Sequence, residues 1–235
     1  MKLLGVIGGM GWSATAEYYR LLNEGVEHRL GGLHGARVLV SSVDFAPVDA
    51  CEREGDWDGM ARILTDAAQG LERAGAEGLI LAANTMHGVA QQIVAGVDIP
   101  FLHIAEATAR RITASRQQRV GLVATATTSR ADFWTDPLRE HGIEVLVPNE
   151  PEIDEVDALI YGELVHGVLK DSSRKALRRV MQGLVDRGAE AVVLAGTELG
   201  LLLEPDDVQV PLHDTTAIHV DEALAWMLGD PPPAG

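Results

Sequence analysis

Two short polar clusters in this chain have residue types that can do chemistry. Asn84, Thr85 and His87 follow the apolar run Gly78-Leu-Ile-Leu-Ala-Ala83, and Thr197 and Glu198 follow the run Ala191-Val-Val-Leu-Ala-Gly196. An amide and hydroxyls can hold a small anion, while an imidazole or a carboxylate can carry a proton. Each residue also has a plainer use. An Asn or Thr after a strand commonly forms a turn or caps a helix, and His87 reads equally well as a group supporting its neighbours. Repetition favours the chemical reading. Gly75-Ala-Glu77-Gly78 and Gly188-Ala-Glu190-Ala191 open the two runs, which align without a gap at an offset of 113 residues. Leu4-Gly5-Val6-Ile7-Gly8-Gly9 likewise resembles Val120-Gly121-Leu122-Val123-Ala124-Thr125 at an offset of 116.

Short apolar runs that open into small polar residues read as buried parallel strands, and the stretches between them carry helical periodicity. The expectation is an α/β fold of two pseudo-symmetric lobes, each a parallel-rich sheet flanked by helices, with an active-site cleft between them. Residues 1–98 with 211–235 form the first lobe and 99–210 the second. Strands are expected at 2–8, 36–43, 79–83, 100–103, 119–123, 143–147 and 191–195. Helices are expected at 58–74, 86–95, 105–113, 153–169, 172–187 and 215–228, the last returning to the first lobe. A helix is also expected after Ser13 or Thr15 as its cap, and another around Phe133, Trp134 and Leu138. The tail beyond residue 230 is a poor candidate for order.

Two loops join the site on this reading. Gly8-Gly9-Met10-Gly11-Trp12-Ser13 lacks the Lys-Ser/Thr of a phosphate loop and a placed acid for a ribose. It reads as a nest for a small carboxylate, formed by the backbone of Met10 and Gly11. The stretch Ala124–Ser129 supplies the hydroxyls of Thr125, Thr127 and Thr128. Cys51, the one cysteine, sits beside Glu52 and Glu54, which disfavour a thiolate, so it reads as a bystander. Asp214, which precedes Thr215-Thr216, reads as a helix cap rather than an ionic partner of His213.

Composition excludes several classes. A net charge of −16 opposes a phosphate backbone and offers nothing to an anionic membrane surface, so neither nucleic acid nor membrane is an expected partner. One cysteine gives no disulfide framework and no cysteine metal site, and no metal is expected. The first residues enter a strand at once, without the features of a signal peptide, and a cytoplasmic location is expected.

With these residues in view, the chain resembles the aspartate/glutamate racemase superfamily, in particular its aspartate racemase-like, broad-specificity amino-acid racemase branch. The resemblance rests on Gly8-Gly9-Met10, Ser42-Val43-Asp44-Phe45, Asn84-Thr85-Met86-His87, Pro100-Phe-Leu-His-Ile-Ala105, Thr197-Glu198 and Asp214-Thr-Thr-Ala-Ile-His219, in the family's order. It implies a cofactor-independent isomerase that racemises an amino acid, or another small carboxylate, and a homodimer. In the family two cysteines carry the protons, one just before Asn-Thr and one just before Thr-Glu. Here those positions hold Ala83 and Gly196, which carry none.

Three readings stay open: a racemase whose sequence was altered at both positions to trap a ligand, a racemase that uses His87, Thr85, Thr197 or Glu198 instead, or a diverged member. The diverged member would be a decarboxylase or lyase acting on a small carboxylate, or a non-catalytic carboxylate-binding protein.

Overall fold

The computed structural model describes residues 1–230; the tail beyond residue 230 lies outside them. The described residues divide into two compact units, one of residues 1–104 with 219–230, the other of residues 105–218. Both divisions fall several residues later than the sequence suggested. The first does so because Pro100–Leu102 hydrogen-bonds with Leu79 in the first unit. The second does so because a short strand after residue 211 pairs in the second.

The first unit is built on β1 (Leu4–Gly8), β2 (Val38–Ser42) and β3 (Gly78–Leu81), in the order β2-β1-β3 and all parallel. Its helices are α1 (Trp12–Leu30), α2 (Phe45–Glu54), α3 (Trp57–Arg73) and α4 (Ala90–Ala95). Alternate residues of β1 serve opposite faces, as a strand requires. Ile7 packs with Met60, Leu64 and Leu71 of α3, while Leu4 and Val6 pack with Tyr18, Leu22 and Val26 of α1.

The second unit begins with α5 (Ile104–Ala114), which the chain enters as it leaves the first unit. It continues through β4 (Arg119–Ala124), α6 (Ala126–Arg130), α7 (Asp132–Glu140), β5 (Glu144–Leu146), α8 (Glu150–Gly162) and α9 (Asp171–Asp186). It is completed by β6 (Ala191–Ala195), α10 (Leu199–Leu202) and β7 (Leu212–Asp214). The sheet order β5-β4-β6-β7 repeats that of the first unit and adds one parallel edge strand. Val192 and Leu194 face Val156, Ile160, Leu177 and Leu184, whereas Ala191 and Val193 face Ala109, Ile112, Trp134 and Leu138. The last helix, α11 (Thr215–Leu228), carries Val220, Ala223, Leu224 and Met227 into the core of the first unit beside Tyr18 and Leu22.

The duplication extends to one repeated fastening. Glu77 Oε2 accepts the Leu3 N–H at 2.6 Å, and the Glu77 N–H donates to the Leu3 carbonyl at 2.8 Å. At the matching place Glu190 Oε2 accepts the Gln118 N–H at 2.6 Å, and the Glu190 N–H donates to the Arg119 carbonyl at 2.8 Å. The Arg119 N–H also donates to Glu190 Oε2, at 3.2 Å, and these two donors, Gln118 first, hold the Glu190 carboxyl below its usual range. The glutamate that opens each repeat thus secures the start of the central strand.

Local readings change, among them the strand expected at 100–103, which is a single bridge between Phe101 and Leu79. Neither Ser13 nor Thr15 caps α1; its cap is Gly11, and Thr15 Oγ1 accepts from the Gly9 N–H at 2.8 Å and donates to the Gly11 carbonyl at 3.2 Å. The residues expected as one helix at 86–95 are a 3₁₀ turn, Thr85–Val89, followed by α4. The hydroxyl-rich stretch 124–129 is the end of β4 and most of α6 rather than a loop.

Candidate active site

Each candidate residue stands where a parallel strand gives way to the following turn. In the first unit β3 ends at Leu81, and Ala83, Asn84, Thr85 and His87 follow, all buried. In the second, β6 ends at Ala195, and Gly196, Thr197 and Glu198 follow, also buried.

His87 is fully committed to the backbone. Its Nδ1 lies 2.7 Å from the Ala83 carbonyl, which can only accept, so the ring carries its proton there. Its Nε2 then accepts the Ile104 N–H at 3.3 Å. Burial holds the imidazole well below its ordinary pKa, with the neighbouring imidazoles of His103 and His219 as lesser causes, so it is neutral at pH 7. An imidazole with both nitrogens so used positions the strand end and has no atom left for a substrate, which removes it as the first choice of proton carrier.

Glu198 remains as the ionisable group of its cluster. The Thr197 hydroxyl donates to Glu198 Oε2 at 2.8 Å, and both side chains are buried. Gly196 sits beside Leu199. A Cβ placed on it would lie 3.0 Å from Leu199 Cδ1 and 3.2 Å from Cγ, so a side chain fits once that leucine yields slightly.

Of the three threonines after β4, two serve the fold first. Thr125 caps α6 by accepting the Thr128 N–H at 3.3 Å, and its hydroxyl donates to Thr128 Oγ1 at 3.1 Å. Thr127 lies outside this pair and is half-buried. In the first unit the turn after β1 brings Met10 and Gly11 to the start of α1, whose first N–H groups lack intrahelical partners. Sequence reasoning treated Ser13 only as a cap. Its hydroxyl is buried without a hydrogen-bond partner among the described residues, a donor available to a bound carboxylate.

The weighed alternatives resolve locally. Asp214 Oδ1 accepts the Thr216 N–H at 2.8 Å, as a cap should, and His213 donates from Nε2 to Gln117 Oε1 at 2.7 Å. Cys51 is partly buried on α2 among apolar neighbours. Among the described residues no group of three or more His, Cys, Asp or Glu could hold a metal ion. No helix among them is long and apolar enough to cross a membrane.

Comparison with known proteins agrees with this architecture. Residues 7–223 match the family model described as Asp/Glu/Hydantoin racemase. The broad specificity amino-acid racemase RacX of Bacillus subtilis (strain 168) is 22% identical over 219 residues, covering 92% of this chain and 93% of RacX. A Yersinia pestis protein assigned as an Asp/Glu racemase has a crystal structure that superposes with a TM-score of 0.90. It is 41% identical, covering 97% of this chain and 100% of that one. PH1733, an aspartate racemase homologue from Pyrococcus horikoshii OT3, superposes with a TM-score of 0.84 at 33% identity, covering 98% of this chain and 100% of that one. A parallel fold built twice, with buried polar side chains at matching strand ends and a family match over nearly the whole sequence, leads to one conclusion: the chain belongs to the Asp/Glu/hydantoin racemase family.

Proposed function

We propose that this protein is a cofactor-independent, racemase-type isomerase acting at the α-carbon of an amino acid, and that Ala83 and Gly196 make it slow at the two-thiol form of the reaction. The observation that carries the proposal is the combination of a family match over residues 7–223 with strand ends that keep their hydrogen-bonding residues but offer no thiol. Racemisation removes a proton from one face of a carbon and returns one to the other, so it needs two acid/base groups. In the first unit, Asn84, Thr85, the Ser13 hydroxyl and the first turn of α1 are the candidate donors for a carboxylate, and none requires a cation; in the second, Thr127 is the candidate donor, the Thr197 hydroxyl being engaged by Glu198. Glu198 is the proton carrier of the second unit, and no metal or organic cofactor is needed to explain the donor set. The same donors would serve a decarboxylase, a lyase or a binding protein, and the missing thiols are what favour such a second reading. By family analogy we also propose a cytoplasmic homodimer, a state that light scattering would measure.

The test is solvent exchange. The protein is first offered L- and D-aspartate, glutamate, neutral amino acids and malonate by calorimetry, then incubated with those that bind in D₂O while α-deuteration is followed by NMR. Slow exchange that rises on introducing Ala83→Cys and Gly196→Cys together supports the racemase reading, since one well-placed acid/base group is worth about 10²–10⁴ in rate. Binding without exchange in either protein would overturn it in favour of a binding role or another reaction. A panel that gives no heat at millimolar concentration would remove the carboxylate site altogether.

A further inference from the structure

Six of the nine large apolar side chains exposed among the described residues lie within the first 40 positions, and four of them share one face of the first unit. Trp12, Tyr19 and Leu30 are 72%, 53% and 46% exposed on α1. Their spacings of 7 and 11 residues place them within about 20° of one another around a helix of 3.6 residues per turn. Asn23 shares the stripe, and its Oδ1 accepts the Ala36 N–H at 3.0 Å, so this flank of α1 is turned toward the start of β2. The opposite flank packs on α11, where Gly25 leaves room for Leu224.

The fourth side chain, Val40, is 43% exposed on β2, the edge of its sheet. The Leu4 N–H donates to the Arg37 carbonyl and the Val43 N–H to the Gly8 carbonyl, so the odd-numbered residues of β2 turn their backbone groups toward β1. Those of Val38, Val40 and Ser42 point away from the sheet and have no partner among the described residues. Proteins ordinarily blunt such an edge with a charge, a proline or a covering segment. Val38-Leu-Val-Ser-Ser42 has neither charge nor proline. The charges stand at its two ends. Arg37 and Asp44 are exposed, and their side chains bond only to backbone, the Met1 carbonyl and the Ala46 N–H, with no ion-pair partner among the described residues.

We propose that a second copy of this chain docks on this face, its β2 pairing antiparallel with the first about a two-fold axis through Val40. Such an axis needs a surface complementary to itself, and this edge is one. With Val40 opposite Val40, each N–H donates to the other's carbonyl, and each Val38 meets Ser42 of the other copy in the same way. Arg37 of each copy then lies diagonally across from Asp44 of the other, the ionic partner that each lacks in its own chain. An in-register parallel pairing would set each charge beside its like. The same axis brings the two α1 stripes together on one side of the joined sheet. A stable interface buries about 800 Å² on each partner, which a five-residue edge does not reach alone. The stripe, running about 27 Å along α1, adds the apolar area. In a chain of net charge −16, this uncharged face lets two copies approach without apposing their acidic surfaces. It gives the homodimer proposed above its interface, independently of the racemase reading.

The test combines sedimentation equilibrium of the full-length protein with amide hydrogen exchange. The wild type should be a dimer at micromolar concentration, with the outward N–H groups of Val40 and Ser42 protected as well as the inward ones of Leu39 and Ser41. Val40→Lys sets two ammonium groups opposite each other at the axis. It should weaken the dimer by about 10²-fold or more and release the amides of residues 40 and 42 while those of Leu39 and Ser41 stay protected. Arg37→Glu should weaken association about tenfold, and adding Asp44→Lys should restore it to within about threefold, a rescue that a general loss of folding does not give. A wild type that stays monomeric at millimolar concentration, a dimer that survives Val40→Lys, or outward amides that exchange alike in dimer and monomer overturns the proposal. If Val40→Lys also releases Leu39 and Ser41, its sheet is damaged and the charge reversal decides: absence of rescue overturns the pairing.

Discussion

The His87 imidazole donates from Nδ1 to the carbonyl of Ala83 at 2.7 Å, four residues earlier in the chain. A hydrogen bond that closes a turn on the residue preceding Asn84 sets the direction in which the candidate side chains leave the strand. Removing the ring should therefore cost stability as well as activity. His87→Ala leaves a buried carbonyl and the Ile104 N–H without their partner and opens a cavity, and is expected to lower the unfolding free energy by about 2–4 kcal/mol. Urea unfolding measures this, and a change below the error of the midpoint would contradict the assigned role.

The buried imidazoles also give the protein a defined acid sensitivity. His87 lies well below its usual pKa and His219 is pushed down to about 4, burial being the main cause in both. The folded state therefore binds fewer protons than the unfolded state below an unfolded pKa near 6.5. Their contribution is fully present above that value and is lost as the pH falls toward about 4. For each such histidine the slope approaches about 1.4 kcal/mol per pH unit within this window. Denaturation midpoints between pH 7.5 and 5 should drop accordingly, and His219→Gln should flatten the curve.

Arg116 adopts φ 60°, in the left-handed region, just beyond the end of α5. Its N–H bonds to the Thr113 carbonyl and the next N–H to the Ile112 carbonyl, a helix ending that ordinarily uses glycine. Arg116→Gly is expected to stabilise the protein by up to about 1 kcal/mol, because relief of the strain exceeds the added freedom of the unfolded chain. Thermal melting is the measurement, and a lower melting temperature would contradict the expectation.

Gly9 represents the opposite case. Its φ is +102°, and a Cβ would come within 2.2 Å of the Val43 carbonyl oxygen, a backbone atom with no room to yield. Gly9→Ala should destabilise the first unit by about 2 kcal/mol or more, and should weaken carboxylate binding by displacing Met10 and Gly11. Amide hydrogen exchange at β1 and β2 would locate the damage. Unchanged protection there would refute the account.

How much of this was legible in the sequence depended on whether the signal was local. Runs such as Leu4–Gly8 and Ala191–Ala195 are buried on both faces, so their apolar character is visible without an alignment. The helix α2 went unseen because it buries only Val48 and so presents no stripe of apolar residues, and β7 because it is three residues long. The threonines after β4 were visible, but their use in capping α6 was not, since a cap and a ligand donor look alike until the turn is formed.

The passage of α11 into the core beside Tyr18 and Leu22 also bears on how the protein is made. A ribosome delivers β1, α1, β2 and β3 early, yet the face of that sheet carrying Leu4 and Val6 is covered by α1 alone until Val220, Ala223, Leu224 and Met227 have been synthesised. The intervening residues 105–218 can fold during that wait, because their unit is contiguous in the chain. The first unit, although its strands emerge first, is the last to close, and a nascent chain stalled before α11 would expose the part of that apolar core which α1 does not cover, a surface of the kind that chaperones protect.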